Sequence, residues 1–443
     1  MAVAAASLAV SSVPVAVSAT SSPTTPGVTP TSITIGATVP LSGFEVKAAA
    51  ASAAAAAVFK YVDAKGGVNG RRINYVRIDD CINLAAYGLG CSLPIAATTV
   101  SQTKAMMTSG VFATVGSVGT GAQESVLSYL NTNKVPQLFV NSGSTDWNQP
   151  AKYPQTFGFA TSFKAEGKIY AKYITTHYAG LKVGFIGAQN TLGTTTFDTI
   201  GTALFSGLTT KTGVTVAKSD HRMYTPFDAL GGANDIVPSI AQLQSDAVKV
   251  VVLASTPAVT SSILAAAHAA GYNPHWFIAS NGSDPVQVDS PYEVGAITLT
   301  SFPSTSDATN AWNVWLRKVL ASDHSDVPSY RATSPLDPQW QYGAAYAVSF
   351  LEALRVAGKT PTRASFLAAL TKTMFQSPAV LALHYSASSH QGLNGGVLAA
   401  VAARPVDSLS IPSPIMYSTS GVAGAPVLMN PHYGVSAIPT WLK

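Results

Sequence analysis

The sequence predicts an α/β protein of two lobes, each a parallel sheet covered by helices on both faces. Two observations predict this fold. Short apolar and β-branched segments alternate with longer segments of helical periodicity, a pattern typical of parallel sheets covered by helices on both faces. The alternation also runs in two sets, separated by a Pro-containing connection near Pro150. Two such sets predict two lobes.

The strand candidates are nearly uninterrupted apolar runs, which is the pattern of buried parallel strands. They cover residues 32–41, 73–79, 111–118 and 135–140 in the first set, and 182–188, 214–219, 248–254 and 275–279 in the second. Helices are predicted at residues 44–65, 93–110, 122–133, 163–178, 194–212, 235–245, 258–270, 308–321, 338–357 and 362–373. Ligands of such sheets bind beyond the carboxyl ends of the strands, so two facing lobes predict a cleft between them.

The composition of the 443 residues excludes several classes of protein. Apolar residues make up 47%, enough for a core in each lobe, whereas charged residues make up only 11%. The net charge of +5 comes from scattered Lys and Arg, whose longest run is Arg71-Arg72. A nucleic-acid binder would carry a basic stripe, which is missing here. No apolar stretch is long enough to predict a helix that spans a membrane.

The amino-terminal segment, residues 1–31, is interpreted as a signal-like or disordered segment. Ala, Val, Ser and Leu dominate its first part, and Val17-Ser18-Ala19 resembles the small-residue site at which signal peptides are cut. No Lys or Arg precedes Lys47, so the positive start of a signal peptide is missing. We interpret the chain as exported, and therefore as secreted, periplasmic or held at the cell surface.

The two cysteines, Cys81 and Cys91, are ten positions apart in a stretch that contains Gly and Asn. They are candidates for a small disulfide loop, which suits an exported protein. A pair of free, partly buried thiols is the alternative. Since no His or further Cys lies close to them in sequence, a metal site is not predicted.

Motifs of catalysis are missing. Ser101 and Lys104 match a Ser-x-x-Lys pattern, but they lie inside a helical stretch and lack the companion motifs of acyl-transfer enzymes. The glycines at residues 66–70 follow a helix, whereas a phosphate-binding loop follows a strand. We therefore predict no enzyme activity and no cofactor.

A specific set of motifs follows the first predicted strand. A Pro-Leu-Ser-Gly loop at residues 40–43 leads into a long helix, which ends in Asp-Ala-Lys-Gly-Gly-Val-Asn-Gly-Arg-Arg at residues 63–72. A strand and the pair Asp79-Asp80 come next. The later strand that ends in Val-Gly-Ser at 115–117, the strand that starts with Val-Pro at 135–136, and the strand–helix unit at 248–271 continue the set. In these motifs the sequence resembles the leucine/isoleucine/valine-binding family of type I periplasmic binding proteins.

The resemblance covers residues 32–300 and extends more weakly to about residue 400. It implies two lobes, each a doubly wound parallel sheet, joined by a hinge that the chain crosses several times. The lobes are expected to close around a small molecule, and the protein to deliver it to an ABC permease in the membrane without breaking a bond. On this basis residues 32–150 plus 286–385 are assigned to the first lobe, and residues 151–285 plus 386–443 to the second. A monomer that binds no nucleic acid is expected.

The resemblance also implies which residues of the first lobe hold the ligand. Loops rich in Gly, Ser and Thr at the ends of strands supply hydroxyl and backbone N–H donors, which suit the carboxylate or carbonyl of a solute. Ordinary helix capping and loop packing are the alternative roles for such residues. The candidates are Phe44, Thr120, Gly121, Ser142, Gly143 and Ser144.

On the second lobe the resemblance implies ligand contacts at Leu192, Thr256, Pro257 and Asn281. Family members that bind amino acids carry an acidic residue near the position of Asn281, because a buried ammonium group needs a carboxylate partner. Asn281 is neutral, and Asp284 would serve only if the loop were shifted. The expected ligands are therefore an amino acid, an amide, a urea-like molecule or a small aromatic or carboxylic solute.

Two other functions belong to different classes. The same fold serves as the ligand-sensing subunit of signalling systems, but a sensor needs an attached membrane span or an output partner. An α/β enzyme needs a nucleophile or an acid–base pair, and the predicted cleft loops offer Ser, Thr, Gly and Asn without a paired His. Solute capture is the preferred interpretation.

Overall fold

The computed structural model describes residues 25–42, 46–80, 95–188, 198–208, 215–224, 236–284, 288, 290–305, 307–328, 330, 336–401, 409–419, 426–429 and 437–443. Phe44, Leu192, Cys81 and Cys91 lie outside these residues, as does most of the signal-like segment. Within the described part of the chain, no helix is both long and apolar enough to span a membrane.

The first lobe is built on a five-stranded sheet in which every neighbouring pair is parallel. Its strands follow the order β2-β1-β3-β4-β5. They are β1 (Ser32–Val39), β2 (Arg72–Asp79), β3 (Thr114–Val115), β4 (Gln137–Val140) and β5 (Thr156–Gly158). Since β1 lies inside the sheet and the chain winds outward from it on both sides, this sheet is doubly wound, as predicted.

Three helices connect these strands: α1 (Ala50–Asp63), α2 (Ile95–Thr108) and α3 (Thr120–Thr132). Helix α1 contains many alanines, and most of its residues are buried. Small side chains allow another backbone to approach it closely. The long helix of the returning chain, described below, makes use of this.

The second lobe begins with α4 (Phe163–His177), whose first turn is capped by the Ser162 hydroxyl, an acceptor for the backbone N–H of Ala165 at 3.2 Å. Strands and helices then alternate again. They are β6 (Lys182–Ala188), α5 (Asp198–Gly207), β7 (Thr215–Tyr224), α6 (Ile236–Ser245), β8 (Val250–Ala254), α7 (Pro257–Ala269), β9 (His275–Ile278) and β10 (Ile297–Thr300). These five strands are mutually parallel in the order β7-β6-β8-β9-β10.

The chain then returns to the first lobe. It forms α8 (Ala311–Ala321), α9 (Pro338–Ala357), α10 (Arg363–Leu370) and a short hairpin of β11 (Met374–Phe375) and β12 (Leu383–His384). Helix α9 packs directly on α1: a Cβ atom placed on Gly343 would lie 1.9 Å from the carbonyl oxygen of Ala51. No side chain other than hydrogen fits there, so this glycine sets the distance between the two helices.

The last strands complete the second sheet. They are β13 (Gly395–Val401), β14 (Leu409–Thr419) and β15 (Pro426–Met429), each antiparallel to its neighbour, with β13 pairing to β10. The second lobe therefore carries an antiparallel edge on an otherwise parallel sheet, an arrangement common in doubly wound folds.

The strand partners differ from the sequence-based lobe boundaries at three places. Strand β5 pairs with β4 in the first sheet, although it follows Pro150. Strand β10 lies in the second sheet, although it follows residue 286. Leu442, near the end of the chain, is buried in the core of the first lobe. Strand β5 has only three residues, and Leu442 packs against core residues far away in sequence, so local patterns do not reveal these two positions.

The chain passes between the lobes after β5, after β10 and before β13, and one set of hydrogen bonds ties these three crossings together. The hydroxyl of Thr161, between β5 and α4, donates to the Gly395 carbonyl at 2.8 Å and accepts from the Gly395 N–H at 3.2 Å. The Ser301 hydroxyl, just after β10, donates to the same carbonyl at 3.1 Å. The hinge predicted from the resemblance therefore has a defined centre, formed by Thr161, Ser301 and Gly395.

Candidate functional site

The carboxyl end of β3 leads into α3 through a tight turn. Gly116 has a φ of 71°, and a Cβ atom on it would lie 2.5 Å from the Cζ atom of Tyr346 on α9. Helix α3 then starts after Gly119, which has no side chain with which to cap it. The first N–H groups of a helix have no partners within the helix, and together with the helix dipole they favour an anion or a carbonyl oxygen. Thr120 and Gly121, the first two residues of α3, are half-buried.

The loop after β4 lies against this helix start. The Ser142 hydroxyl is 2.6 Å from the Thr120 hydroxyl, and it also accepts a hydrogen bond from the Ser144 backbone N–H at 3.1 Å. The structure thus brings together Thr120, Gly121, Ser142 and Ser144, four of the residues predicted to hold a ligand in the first lobe. Their hydroxyl and N–H groups form one small polar surface at the ends of two adjacent strands.

Ser144 also has a structural role. Its hydroxyl accepts from the Asp146 N–H at 3.3 Å, which caps the short 3-10 turn Thr145–Trp147. Gly143 is buried, and its carbonyl accepts from the Phe163 N–H, at the start of α4, at 2.7 Å. A Cβ atom on Gly143 would lie 2.6 Å from the Phe163 ring. Gly143 is therefore a contact between the lobes.

Buried amides fix the position of this surface. The Gln123 side chain is 1% exposed, and its Nε2 donates to the Thr38 hydroxyl at 2.8 Å. Gln137 Nε2 in turn donates to the Gln123 carbonyl at 3.2 Å. These bonds connect α3 to β1 and β4, so the helix start is held by the sheet itself. Sequence reasoning did not identify Gln123, whose only signal is a polar residue on the buried side of a helix.

In the second lobe, Thr256 and Pro257 form the start of α7 at the end of β8. Pro257 occupies the first helical position, where its missing N–H has no cost. The Thr256 side chain does not cap the helix. Its hydroxyl is buried and has no hydrogen-bond partner among the described residues. This hydroxyl is therefore a polar group for which the described protein supplies no partner.

Asn281 lies in the loop after β9, next to the start of α7. Its Nδ2 donates to the Ser255 carbonyl at 3.3 Å, and its Oδ1 is buried without a hydrogen-bond partner in the described residues. The structure thus brings Thr256, Pro257 and Asn281 together at the carboxyl ends of β8 and β9. Asp284, three residues further on, is 2% exposed.

A buried carboxylate holds this loop through hydrogen bonds. Glu166, in the first turn of α4, is 0% exposed and accepts from the Ser280 N–H at 2.7 Å and from the Ser280 hydroxyl at 3.1 Å. The Tyr170 hydroxyl lies 2.8 Å from the same carboxylate. Burial, which disfavours the charged form, raises the pKa of the Glu166 carboxyl to about 7, and the hydrogen bonds only partly offset it.

A second buried carboxylate lies at the other end of the loop. Glu293 is 1% exposed and accepts from the Ser283 hydroxyl at 3.0 Å. Burial raises its pKa to about 7 as well. Sequence reasoning identified neither acid. For Glu166 the reason is that its partner Ser280 is more than 100 residues away along the chain. The only signal in the sequence was the low number of acidic residues, which makes each of them a candidate for a specific role.

The geometry has the chemistry of a binding cleft. Each lobe presents hydroxyl, amide and helix N-terminal groups at the carboxyl ends of its strands. In the described residues, no three His, Cys, Asp or Glu side chains are grouped so that they could hold a metal ion. His390, the most buried histidine described, bonds through Nδ1 to the Thr156 carbonyl at 2.8 Å and stacks on Phe157. It is thus occupied by structural contacts.

Comparison with known proteins gives a consistent result. A family model described as periplasmic binding protein matches residues 32–404. No curated protein matches the chain in sequence. A possible leucine/isoleucine/valine-binding protein from Rhodopirellula baltica SH 1 superposes with a TM-score of 0.69 at 16% identity, over 86% of this chain and 96% of that one.

Two further solved structures contain ligands. A branched chain amino acid ABC transporter protein from Thermus thermophilus, with bound valine, has a TM-score of 0.67 at 16% identity and covers 91% of this chain and 99% of its own. An ABC transporter solute binding protein from R. palustris, in complex with benzoate, has a TM-score of 0.64 at 16% identity and covers 90% and 95%. At this identity, both similarities concern the fold.

Proposed function

The chain belongs to the periplasmic binding protein family, of type I, and from this premise we propose that it captures a small solute by closing its lobes and delivers it to an ABC importer. The observation that carries the proposal is the contact between Thr120 and Ser142 beside the uncapped start of α3. A solute carboxylate or carbonyl placed there would receive hydrogen bonds from the hydroxyl groups and from the first N–H groups of the helix.

The second lobe supplies the other half of the proposed site. When the lobes close, the solute loses its water, so each of its polar atoms needs a protein partner. The buried Thr256 hydroxyl and Asn281 amide oxygen lack partners in the described residues, which is the state expected of groups that await a ligand. Lobe closure of this kind is a hinge motion, and the Thr161–Ser301–Gly395 centre would be its pivot.

The solute proposed is one without an ammonium group. A buried ammonium needs a carboxylate, and Asn281 offers a neutral amide. The Glu166 carboxylate, which contacts this loop through Ser280, is fully buried and already accepts hydrogen bonds from Ser280 and Tyr170. A small carboxylic acid, an aromatic acid, an amide or a urea-like molecule fits this surface better than an amino acid does.

The remaining parts of the proposal follow from the family. A solute receptor of an ABC importer acts outside the cytoplasm, meets a membrane permease and releases its solute unchanged. The Ser, Thr and Asn side chains at the cleft have no paired His among the described residues, which supports binding without turnover. We propose a monomer.

A thermal-shift panel on the full chain tests the proposal. The solutes are benzoate, acetate, acetamide, urea, L-valine and L-leucine. A ligand at 100 times its Kd stabilises the native state by about 2.7 kcal/mol, which is readily measured. Shifts from the acids or amides alone would support the proposed class. Shifts from L-valine or L-leucine would show that the ammonium finds a carboxylate after all. After incubation, mass spectrometry of the solute should find it chemically unchanged.

A further inference from the structure

The Tyr170 hydroxyl lies between two acceptors but carries only one hydrogen. It is 2.8 Å from Glu166 Oε1 and 2.8 Å from the carbonyl oxygen of Ile278, the last residue of β9. It also accepts from the Leu299 N–H at 3.1 Å. A hydroxyl can donate only once, so Tyr170 bonds either to the carboxylate or to the end of β9.

The protonation state of Glu166 decides between these two arrangements. As a carboxylate, Glu166 only accepts, so Tyr170 donates to it and the Ile278 carbonyl loses this donor. With a proton on Oε1, Glu166 donates to the Tyr170 oxygen, and Tyr170 turns its hydrogen to Ile278. Tyr170 and Glu166 stay hydrogen-bonded to each other in both states, and the Ile278 carbonyl gains the tyrosine as a donor only when Glu166 is protonated. The proton is exchanged with solvent.

Protonation of Glu166 also weakens the hydrogen bonds that Ser280 donates to it. Ser280 is exposed at the end of β9, directly before Asn281, yet its N–H and its hydroxyl both donate to the buried Glu166. Hydrogen bonds to an ionised acceptor are about twice as strong as those between neutral groups. The charged form of Glu166 therefore holds the loop more firmly than the protonated form does.

We propose that Glu166 is a positioning residue for the solute site: its charged form fixes the Ser280–Asn281 segment in the geometry that binds solute, and its protonation releases that segment. Glu166 does not contact the solute in this proposal; it acts through Ser280. The part that concerns solute affinity rests on the proposed function, whereas the part that concerns the loop does not.

The other titratable groups near this segment are few. Tyr170 is the titratable group that bonds to Glu166, and burial, followed by the neighbouring Glu166 carboxylate, raises the pKa of Tyr170 well above its ordinary value, so it stays protonated. Asp284 and Glu293 are the other acids of the loop, and Glu293 bonds to Ser283. Among the described residues, no cationic side chain pairs with Glu166. Because its pKa is raised to about 7, the change falls near neutral pH.

Hydrogen exchange without any solute tests the loop. The full chain, Glu166→Gln and Glu293→Gln are compared between pH 5.5 and pH 8.5, with rates corrected for intrinsic exchange. We expect protection of the peptide that contains Ser280 to rise with pH in the wild type and in Glu293→Gln, and to stay low and constant in Glu166→Gln. Equal protection in all three proteins at every pH would overturn the proposal.

Infrared difference spectra give a second readout that needs no solute. The wild type should show carboxyl signals that titrate near pH 7, from Glu166 and Glu293. In Glu166→Gln the Glu166 signal should disappear, and the Glu293 signal should remain. A wild type whose Glu166 signal lies below pH 5 would overturn the proposal even if the loop proved mobile.

Solute affinity is the third arm, with benzoate and L-valine as probes. For either probe that binds, we expect the affinity of the wild type to fall at least about fivefold from pH 8 to pH 6, a typical size for coupling between sites. In Glu166→Gln the affinity should be weak and independent of pH. A pH-independent wild type that binds its probe would contradict the proposal. If neither probe binds, the proposed solute class fails, while the exchange arm still decides the role of Glu166.

Discussion

The hydroxyl groups of Thr120 and Ser142 lie 2.6 Å apart, although 22 positions separate the two residues in sequence. The contact forms because β3 and β4 are parallel neighbours, so the loops at their carboxyl ends start side by side. It joins the two loops into one polar surface. The first prediction concerns this surface.

Thr120→Val and Ser142→Ala should each abolish the thermal shift produced by whichever solute of the panel binds the wild type. Each variant removes one hydroxyl and leaves the fold intact, so the free energy of unfolding without solute should fall by no more than about 1.5 kcal/mol. Isothermal titration and urea unfolding measure the two quantities. Ser125→Ala, on the same helix, is the matched control and should bind as the wild type does. Normal binding by both cleft variants would remove this surface from the site.

Gly343→Ala should destabilise the first lobe. In an ordinary helix, replacing Gly by Ala stabilises by about 1 kcal/mol. On α9 the new Cβ atom would lie 1.9 Å from the Ala51 carbonyl oxygen, a rigid backbone atom of α1 that cannot rotate away. Such overpacking costs about 1–3 kcal/mol, or more where backbone must shift. Urea unfolding should therefore show a lower midpoint, and a higher midpoint would show that α1 and α9 separate easily.

Much of the first half of the site follows from sequence, and the reason is local. The run of Gly119, Thr120 and Gly121 follows an apolar strand and precedes a helix, and the loop that contains Ser142 also follows an apolar strand. Parallel strands bring the ends of such loops to one edge of a sheet, so the residue types and their order are sufficient to predict a polar surface there.

The contacts that hold the second-lobe part of the site do not follow from sequence, because their partners are distant along the chain. Glu166 bonds to Ser280 across 114 positions, and β13 pairs with β10, whose partner residues include Ile297 and Ala400. Strand β5, with three residues, is too short to carry a periodic pattern. Its place in the first sheet is set by pairing with β4 and by the bond from the Gly158 N–H to the His390 carbonyl at 3.0 Å.

Acidification should destabilise the protein through His390. Burial lowers the pKa of this imidazole, because the charged ring would lose its water. The folded pKa lies below the unfolded value of 6.5, so the contribution is complete above pH 6.5 and is lost as the pH falls through the folded pKa. His390→Gln should flatten the decline in unfolding free energy below pH 6.5. The exposed His384→Gln is the control and should keep the slope of the wild type.

Raising the pH should also destabilise the protein, in this case through Glu293. Burial raises the pKa of this carboxyl to about 7 from an ordinary value of 4.5. Its contribution is therefore complete below pH 4.5 and is lost as the pH rises through about 7. Glu293→Gln should be more stable than the wild type at pH 8, by an amount on the order of 1–3 kcal/mol. Chemical unfolding at pH 5 and pH 8 measures the difference, which should be small at pH 5. An equal effect at both values would show that Glu293 does not titrate in this range.

The hinge centre gives the last prediction. Thr161 is 5% exposed, and its hydroxyl both donates to and accepts from Gly395, so it joins the first crossing to the third. Thr161→Val keeps the shape of the side chain but leaves the Gly395 N–H without this acceptor. An unsatisfied buried group costs about 1–3 kcal/mol, so the free energy of unfolding should fall by that amount.

Small-angle scattering of the unliganded variant should show a broader range of lobe separations than the wild type, because the crossings are no longer tied together. Thr176→Val, at an exposed position of α4, is the matched control and should change neither quantity. If Thr161→Val lost stability without any change in scattering, Thr161 would support the fold and not the hinge motion.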